Sequence, residues 1–314
     1  MRKLALVIVG LSLFMTCSIF AQQQQPDWDK VHIKVQKLSS NMYMLQSQGQ
    51  PDSVGIGNIA VFVGDDGLAI VDSMLVELGP KIDAALKTIS DKPVKYLINT
   101  HSHGDHTGGN VNFGKTAIII GQDNLRTRLQ KSNDRRITNM ALSLPVITFS
   151  DQLTLHMNGG DVRAIYFPQG HTDGDSVVLF LQGNAVSMGD DFVNYSPPHY
   201  PIIDASGDGS AGGFQGQIDA AEYVLAHMPA DVKIIPGHGD LATRDDLAKY
   251  LAVLKDTSAV VKAGIDQGKT LEQLKQEKVL AKWDYLVGAP PVTADVYLQR
   301  LYKDLTRAKS GGTQ

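Results

Sequence analysis

The sequence predicts an α/β protein in which two β-sheets pack face to face with helices outside, a four-layer αββα sandwich carrying a helical C-terminal region. Three observations predict it. Strands and then helices recur in two successive halves, the order that lets each sheet bury one face against the other. Short apolar runs bounded by Gly, Asn and Asp recur between residues 59 and 235. Beyond residue 244 the apolar spacing is helical throughout.

The first residues have the layout of a secretory signal peptide. Arg2 and Lys3 make a positive start, Leu4 to Met15 is an apolar run too short to span a membrane, and Ala21 is a small residue at the cleavage point before four glutamines. Residues 1–21 are therefore expected to be removed, leaving an exported protein, periplasmic or secreted, with no membrane span. Cys17 is the only cysteine and leaves with that segment. Neither a disulfide nor a thiolate ligand is then expected; lipidation of Cys17 is the competing reading. The main domain is placed at 22–243, the helical region at 244–309 and a disordered tail at 310–314.

Within the domain, residues 31–45 have mixed strand patterning. Ile59–Val63 and Leu68–Val71 are strands joined by the hairpin turn Gly64-Asp65-Asp66-Gly67, and Asp72 closes the second. Leu78 to Ser90 is helical through Ile82, Ala85, Leu86 and Ile89. Val94–Asn99 is a buried strand. Thr116–Ile120 is another, followed by a short helix, Asp123–Gln130. The basic stretch Arg126–Arg136 is assigned to a solvated helix face or loop. Strands follow at 146–149, 153–156, 162–167, 176–181, 185–188 and 232–235. A Pro- and Gly-rich loop, Asn194–Gly213, and a helix, Phe214–His227, precede the last of them. Helices are expected at Arg244–Ala263, from the capping-box pattern Thr270 to Gln273, and at Ala294–Leu305.

The chemistry sits at strand ends. His101-Ser102-His103-Gly104-Asp105-His106 packs three imidazoles and a carboxylate into one short turn after the Val94–Asn99 strand. These are nitrogen and oxygen donors that zinc accepts, and the cluster would be costly to bury without a cation. His171 after Gly170, Asp190 after Gly189 and His238 in Pro236-Gly237-His238-Gly239 share the same glycine-rich setting. His32, His156 and His227 have no such context and are taken as ordinary polar residues. A formal charge of −4 without a basic patch argues against nucleic acid as a partner.

These four elements, in this order, resemble the metal signature of the metallo-β-lactamase superfamily, over roughly residues 59–241. The resemblance implies the sandwich fold and a metal-dependent hydrolase holding two Zn2+ ions; iron or manganese suits the same donors. It implies His101, His103 and His171 around one ion, Asp105, His106 and His238 around the other, and Asp190 bridging. Asp190 is preferred to Asp191 because it directly follows glycine; Asp191 is placed beside the site or at the surface. Asp72 matches an acidic residue that orients a ligand or the turn. The expected reaction is attack of a metal-bound hydroxide on the carbonyl of an ester, lactone, thioester or lactam. Asp105 would orient that hydroxide and carry its proton. Two divalent ions against Asp105, Asp190 and hydroxide leave a centre of about +1, which suits a small carboxylate-bearing substrate. Asp190 beside the Asp105-His106 pair is closer to glyoxalase II and the lactone hydrolases than to the lactamases. Those lactamases that use a cysteine ligand are excluded by the lack of a mature cysteine. His103 stands where the diiron flavoproteins carry glutamate. His199 and Tyr200, in the long loop, are candidate substrate residues. A β-lactamase proper, a persulfide-oxidising iron enzyme and a non-catalytic periplasmic metal- or partner-binding protein are the alternatives.

Overall fold

A computed structural model describes residues 26–49, 56–203, 212–286 and 292–310. The signal segment, Cys17, residues 204–211 of the long loop and residues 311–314 of the expected tail lie outside the described residues. Ser310, assigned to that tail, is instead the last residue of the final helix.

Two sheets form the centre. The first has seven strands in chain order: β1 (His32–Lys37), β2 (Met42–Gln48), β3 (Ile59–Gly64), β4 (Gly67–Val71), β5 (Val94–Ile98), β6 (Ile118–Gln122) and β7 (Ile147–Phe149). Strands β1 to β4 are antiparallel, and β4 to β7 run parallel. The second contains β8 (Gln152–Met157), β9 (Gly160–Tyr166), β10 (Ser176–Phe180), β11 (Ala185–Ser187) and β12 (Lys233–Ile235), ordered β12-β11-β10-β9-β8. Only its β11–β12 pair is parallel.

The two-residue period of a strand explains the layering. In β4, Leu68 and Ile70 face outward and pack with Leu78, Ile82 and Leu86, the last two on helix α1 (Gly79–Ile89). Their neighbours Ala69 and Val71 face inward, into the core between the sheets, with Val162, Val178 and Phe180 of the second sheet. Phe62 and Phe180 meet across that core with ring centroids 5.8 Å apart. In β10 the pattern repeats with opposite sense. Val178 and Phe180 point inward, whereas Val177 and Leu179 pack beneath two helices of the other flank. The result is a helix–sheet–sheet–helix sandwich, as expected.

Four short helices follow the first parallel strands: α2 (Gly104–Thr107), α3 (Asn110–Phe113), α4 (Asp123–Lys131) and α5 (Met140–Ser143). Of these, α2, α3 and α5 have four residues each, too few to leave an apolar period in the sequence. The second flank is α6 (Phe214–His227) and α7 (Arg244–Asp266), the latter started by a capping box between Thr243 and Asp246. Helix α8 (Leu271–Gln276) has the expected capping box between Thr270 and Gln273. With α9 (Ala294–Ser310) it closes a separate apolar cluster around Trp283, Tyr297 and Leu301.

This topology gathers one edge of the sandwich. Strands β4, β5, β11 and β12 all end there. Backbone bonds lock the loops that follow: Asp72 N–H to Ile98 O (2.9 Å), Ser176 N–H to Thr100 O (2.9 Å), Gly237 N–H to Gly189 O (2.7 Å) and Asn58 N–H to Gly237 O (2.8 Å). The last of these ties the first sheet directly to the second.

Candidate metal centre

Seven side chains converge on that edge in two groups. His101, His103, His171 and Asp190 form one; Asp105, His106 and His238 form the other. In the first, His103 Nδ1 lies 3.1 Å from both His101 Nε2 and His171 Nε2. In the second, His238 Nε2 lies 3.2 Å from His106 Nε2 and from Asp105 Oδ2. Asp190 stands between them. Its Oδ1 is 3.3 Å from both His106 Nε2 and His238 Nε2, and its Oδ2 is 3.5 Å from His171 Nε2 and 3.9 Å from His101 Nε2.

A divalent cation fits this arrangement. A tetrahedral ion with bonds of about 2.0–2.2 Å holds its ligand atoms about 3.3–3.6 Å apart, near the spacings found here. Asp190 Oδ1 is buried between two imidazole nitrogens at 3.3 Å without a well-formed hydrogen bond to either, a setting that suits a shared cation. Glycine makes room for it: a Cβ on Gly237 would lie 2.0 Å from Asp190 Oδ1, and one on Gly57 would lie 2.5 Å from His106 Cε1.

The other ring nitrogens of His101, His106 and His171 are anchored, which fixes their tautomers. Asp72 is buried and accepts three hydrogen bonds. They come from Thr100 N–H (2.8 Å), the Thr100 hydroxyl (2.7 Å) and His106 Nδ1–H (2.8 Å). Because Thr100 gives its proton to Asp72, its oxygen is left to accept from His101 Nδ1–H, 3.1 Å away. One carboxylate thereby turns Nε2 of two imidazoles, one in each group, toward the site. Asp72 holds this position at φ 66°, in the left-handed region. Aspartate tolerates that region better than most residues, at a cost of about 1–3 kcal/mol. His171 is fixed from elsewhere: its Nδ1–H donates to Ile202 O (2.9 Å), and its backbone N–H donates to Asp191 Oδ1 (2.8 Å).

Charge divides the two groups. Burial pushes the His101 imidazole well below its ordinary range, and the neighbouring His106 adds to the effect. Burial also opposes the charge on His106, but Asp190, Asp72 and Asp105 outweigh it and raise that imidazole to about 10. His238 is likewise raised well above its usual value against the cost of burial, chiefly by Asp190 and Asp105. Burial works against ionised Asp105 and Asp190 too, yet His106 and His238 hold both carboxyls well below the normal range. Away from the imidazoles, burial pushes Asp191 up to about 7 and Asp175 well above its usual value.

Asp191 takes the first of its two expected places, beside the site rather than at the surface, buried beneath the His171 backbone. Several sequence expectations lie differently in space. Tyr200, expected in the substrate loop, is buried in the C-terminal apolar cluster. Its hydroxyl donates to Trp283 O (3.1 Å) and its ring stacks on Tyr297. Burial among helices offers an aromatic ring more than a polar cleft does. His199 does approach the site, stacking on Tyr195 at 4.5 Å, and Tyr195 lies 6.2 Å from the His238 ring. His32, His156 and His227 are exposed. The basic stretch is not merely solvated. Arg126 donates to Pro145 O, Arg128 pairs with Asp173, and Arg136 Nη1 reaches Asp105 Oδ1 at 3.0 Å. Nothing in the spacing of that stretch singles out Arg136, and no sequence feature reports the Ile202 carbonyl.

Residues 52–238 match the family described as the Metallo-beta-lactamase superfamily, and the chain belongs to it, a superfamily of metal-dependent hydrolases. Among solved structures it is similar to a metallo-beta-lactamase from Pontibacter korlensis. That similarity has a TM-score of 0.58 and 16% identity over 71% of this chain and 99% of that one. It is also similar to the DIM-1 metallo-beta-lactamase, with a TM-score of 0.55 and 17% identity over 72% of this chain and 99% of that one. Identities this low carry the fold. The family match ends at His238, so helices α7 to α9 lie beyond it.

Two outcomes follow from the geometry. Asp72→Asn cannot accept all three hydrogen bonds through an amide in one orientation. It is expected to weaken metal binding about 10–100-fold, measured by competition with a chromogenic chelator. Unchanged affinity would mean that His101 and His106 are oriented without it. The second concerns protons. His106 and His238 have raised pKa values, so the metal-free protein carries a proton on each at pH 7, below their titration. Coordination needs neutral imidazole. Metal uptake at pH 7 should therefore release about two protons, and affinity should climb as pH rises toward 10. Calorimetric titration in buffers of differing ionisation enthalpy reads this directly; a buffer-independent heat would show that both rings begin neutral.

Proposed function

We propose that the protein is an exported hydrolase holding two zinc ions and acting on a carbonyl centre in an ester, lactone, thioester or lactam. One ion would be held by His101, His103 and His171, the other by Asp105, His106 and His238, with Asp190 shared. The observation that supports two ions is the split of Asp190, whose two oxygens face different imidazole groups. The donors are imidazole and carboxylate only, a set that suits zinc, iron or manganese. Bound there, zinc supplies Lewis acidity for a carbonyl oxygen and lowers the pKa of water toward neutrality.

The chain's own groups do the rest. Asp105 presents Oδ2 inward, where it can orient the attacking water, accept its proton and return it to the leaving group. Asp190 and Asp72 keep the imidazole lone pairs aimed at one volume. His199, stacked on Tyr195 beside His238, supports a place for the substrate against that aromatic pair. A carboxylate on the substrate would suit the small net positive charge of the loaded centre.

Zinc-reconstituted protein is expected to turn over a lactone, thioester or simple ester in a panel that also contains nitrocefin. Chelation should abolish that turnover and zinc should restore it, with two equivalents bound. Saturation at one equivalent, or activity indifferent to chelator, would overturn the two-zinc reading. Turnover of nitrocefin alone would make the protein a lactamase instead. Export has its own readout: protein recovered from the periplasm or medium should begin at Gln22, and an intact Met1 or a lipidated Cys17 would refute cleavage after Ala21.

A further inference from the structure

Asp105 has two oxygens and the proposed chemistry uses one. Oδ2 faces His238 Nε2 at 3.2 Å and His106 Nε2 at 3.5 Å. Oδ1 points the other way and accepts from Arg136 Nη1 at 3.0 Å. We infer that Arg136 is a positioning residue, which sets the orientation of Asp105 toward the second metal ion. The inference rests on the assignment of Asp105 to that ion.

The guanidinium is itself held. Its Nε lies 3.0 and 2.9 Å from the two oxygens of Asp134, and Nη2 lies 2.7 Å from Asp134 Oδ2. Asp134 therefore occupies one edge of the planar fork and leaves Nη1 projecting toward Asp105, an arrangement a lysine ammonium cannot reproduce. The segment carrying both residues is fixed on its own account. Asp134 N–H donates to Ser132 Oγ, Arg136 N–H to Asp134 Oδ1 and Ile137 N–H to Asp134 O. Ile137 is buried against Leu125 and Leu129 of α4. The strap crosses directly over α2: a Cβ on Gly104 would lie 2.6 Å from Asp134 Oδ2 and 2.7 Å from Arg136 Nε. Glycine at the first position of that helix is what admits the arginine.

The consequence is specific to one ion. Arg136 reaches the site at Asp105, a member of the second group. With Oδ1 engaged, Asp105 is held with a single oxygen, Oδ2, toward His106 and His238. Without Arg136, rotation about the Cβ–Cγ bond would let either oxygen, or both, face inward.

The test compares full-length Arg136→Ala and Arg136→Lys with the unaltered protein, titrated with Zn2+ against a chelating dye and with Co2+ followed by visible absorption. Arg136→Ala should weaken the second equivalent about 10–100-fold, leave the first in place and alter only the spectrum of the second cobalt. Arg136→Lys, keeping charge without the fork, should restore part of the loss, and Asp134→Asn should fall between. Two equivalents bound as tightly as in the unaltered protein, with unchanged spectra, would overturn the inference. So would equal loss of both equivalents, the mark of general damage. If the unaltered protein itself binds a single equivalent, it is the two-zinc reading that fails.

Discussion

The site depends on one buried carboxylate that need touch no metal. Asp72 binds the Thr100 amide, the Thr100 hydroxyl and the His106 ring, and through Thr100 it directs the His101 ring as well. A histidine offers two nitrogens, and only a defined partner on one makes the other a reliable ligand. Asp72 supplies that partner directly for His106 and, through the Thr100 hydroxyl, for His101. It can do so because β4 and β5 are adjacent and parallel, so their ends emerge side by side. The unusual backbone angle of Asp72 is the local cost of turning the carboxylate toward its neighbour strand rather than away.

The same dependence runs to the far end of the chain. His171 takes its orientation from the Ile202 carbonyl, which also accepts from Gln217 Nε2 at 2.7 Å. On either side of Ile202, neighbouring residues are tied to the helical region. Tyr200 bonds Trp283 O, and Ile203 O accepts from Arg300 Nη1 at 2.9 Å. Helix α9 also receives the start of α6, since Phe214 N–H donates to Asp304 Oδ2 at 3.1 Å. Residues outside the family match therefore help to fix a side chain inside it. The C-terminal helices are part of the scaffold of the centre, which gives a physical reason for Tyr200 to be buried rather than presented to substrate.

Much of this was legible in the sequence, and the reason is local. Strands with apolar faces on both sides leave continuous runs, as in Leu68–Val71, and the candidate ligands follow such runs within a few residues, most of them near a glycine. Which face of such a run meets the helices and which meets the other sheet is settled only by packing. What could not be seen depended on contacts between distant segments. Arg136 sits 31 residues from Asp105, in a stretch whose composition resembles an ordinary basic helix face. Asp191 differs from Asp190 in sequence only in not directly following glycine; both are buried, and they separate only in three dimensions, where Asp191 turns to the His171 backbone and Asp190 to the imidazoles. Backbone partners such as Ile202 O have no residue identity to read.

Burying six such side chains beside the half-buried His103 would be prohibitive if each kept its solution charge state. The molecule offsets this by pairing. His106 and His238 hold protons against ionised Asp105 and Asp190, while His101 is driven toward the neutral form by burial and by the neighbouring His106. In the metal-free chain, protons thus occupy the role that cations would otherwise fill, and they do so mainly on the side where the carboxylates lie. The two halves of the site are consequently unequal before any ion arrives. On one side His101 is driven toward the neutral imidazole that a cation binds; on the other, His106 and His238 must first give up protons. That inequality arises from where Asp105 and Asp190 point, and Asp105 points where it does with one oxygen already engaged by an arginine.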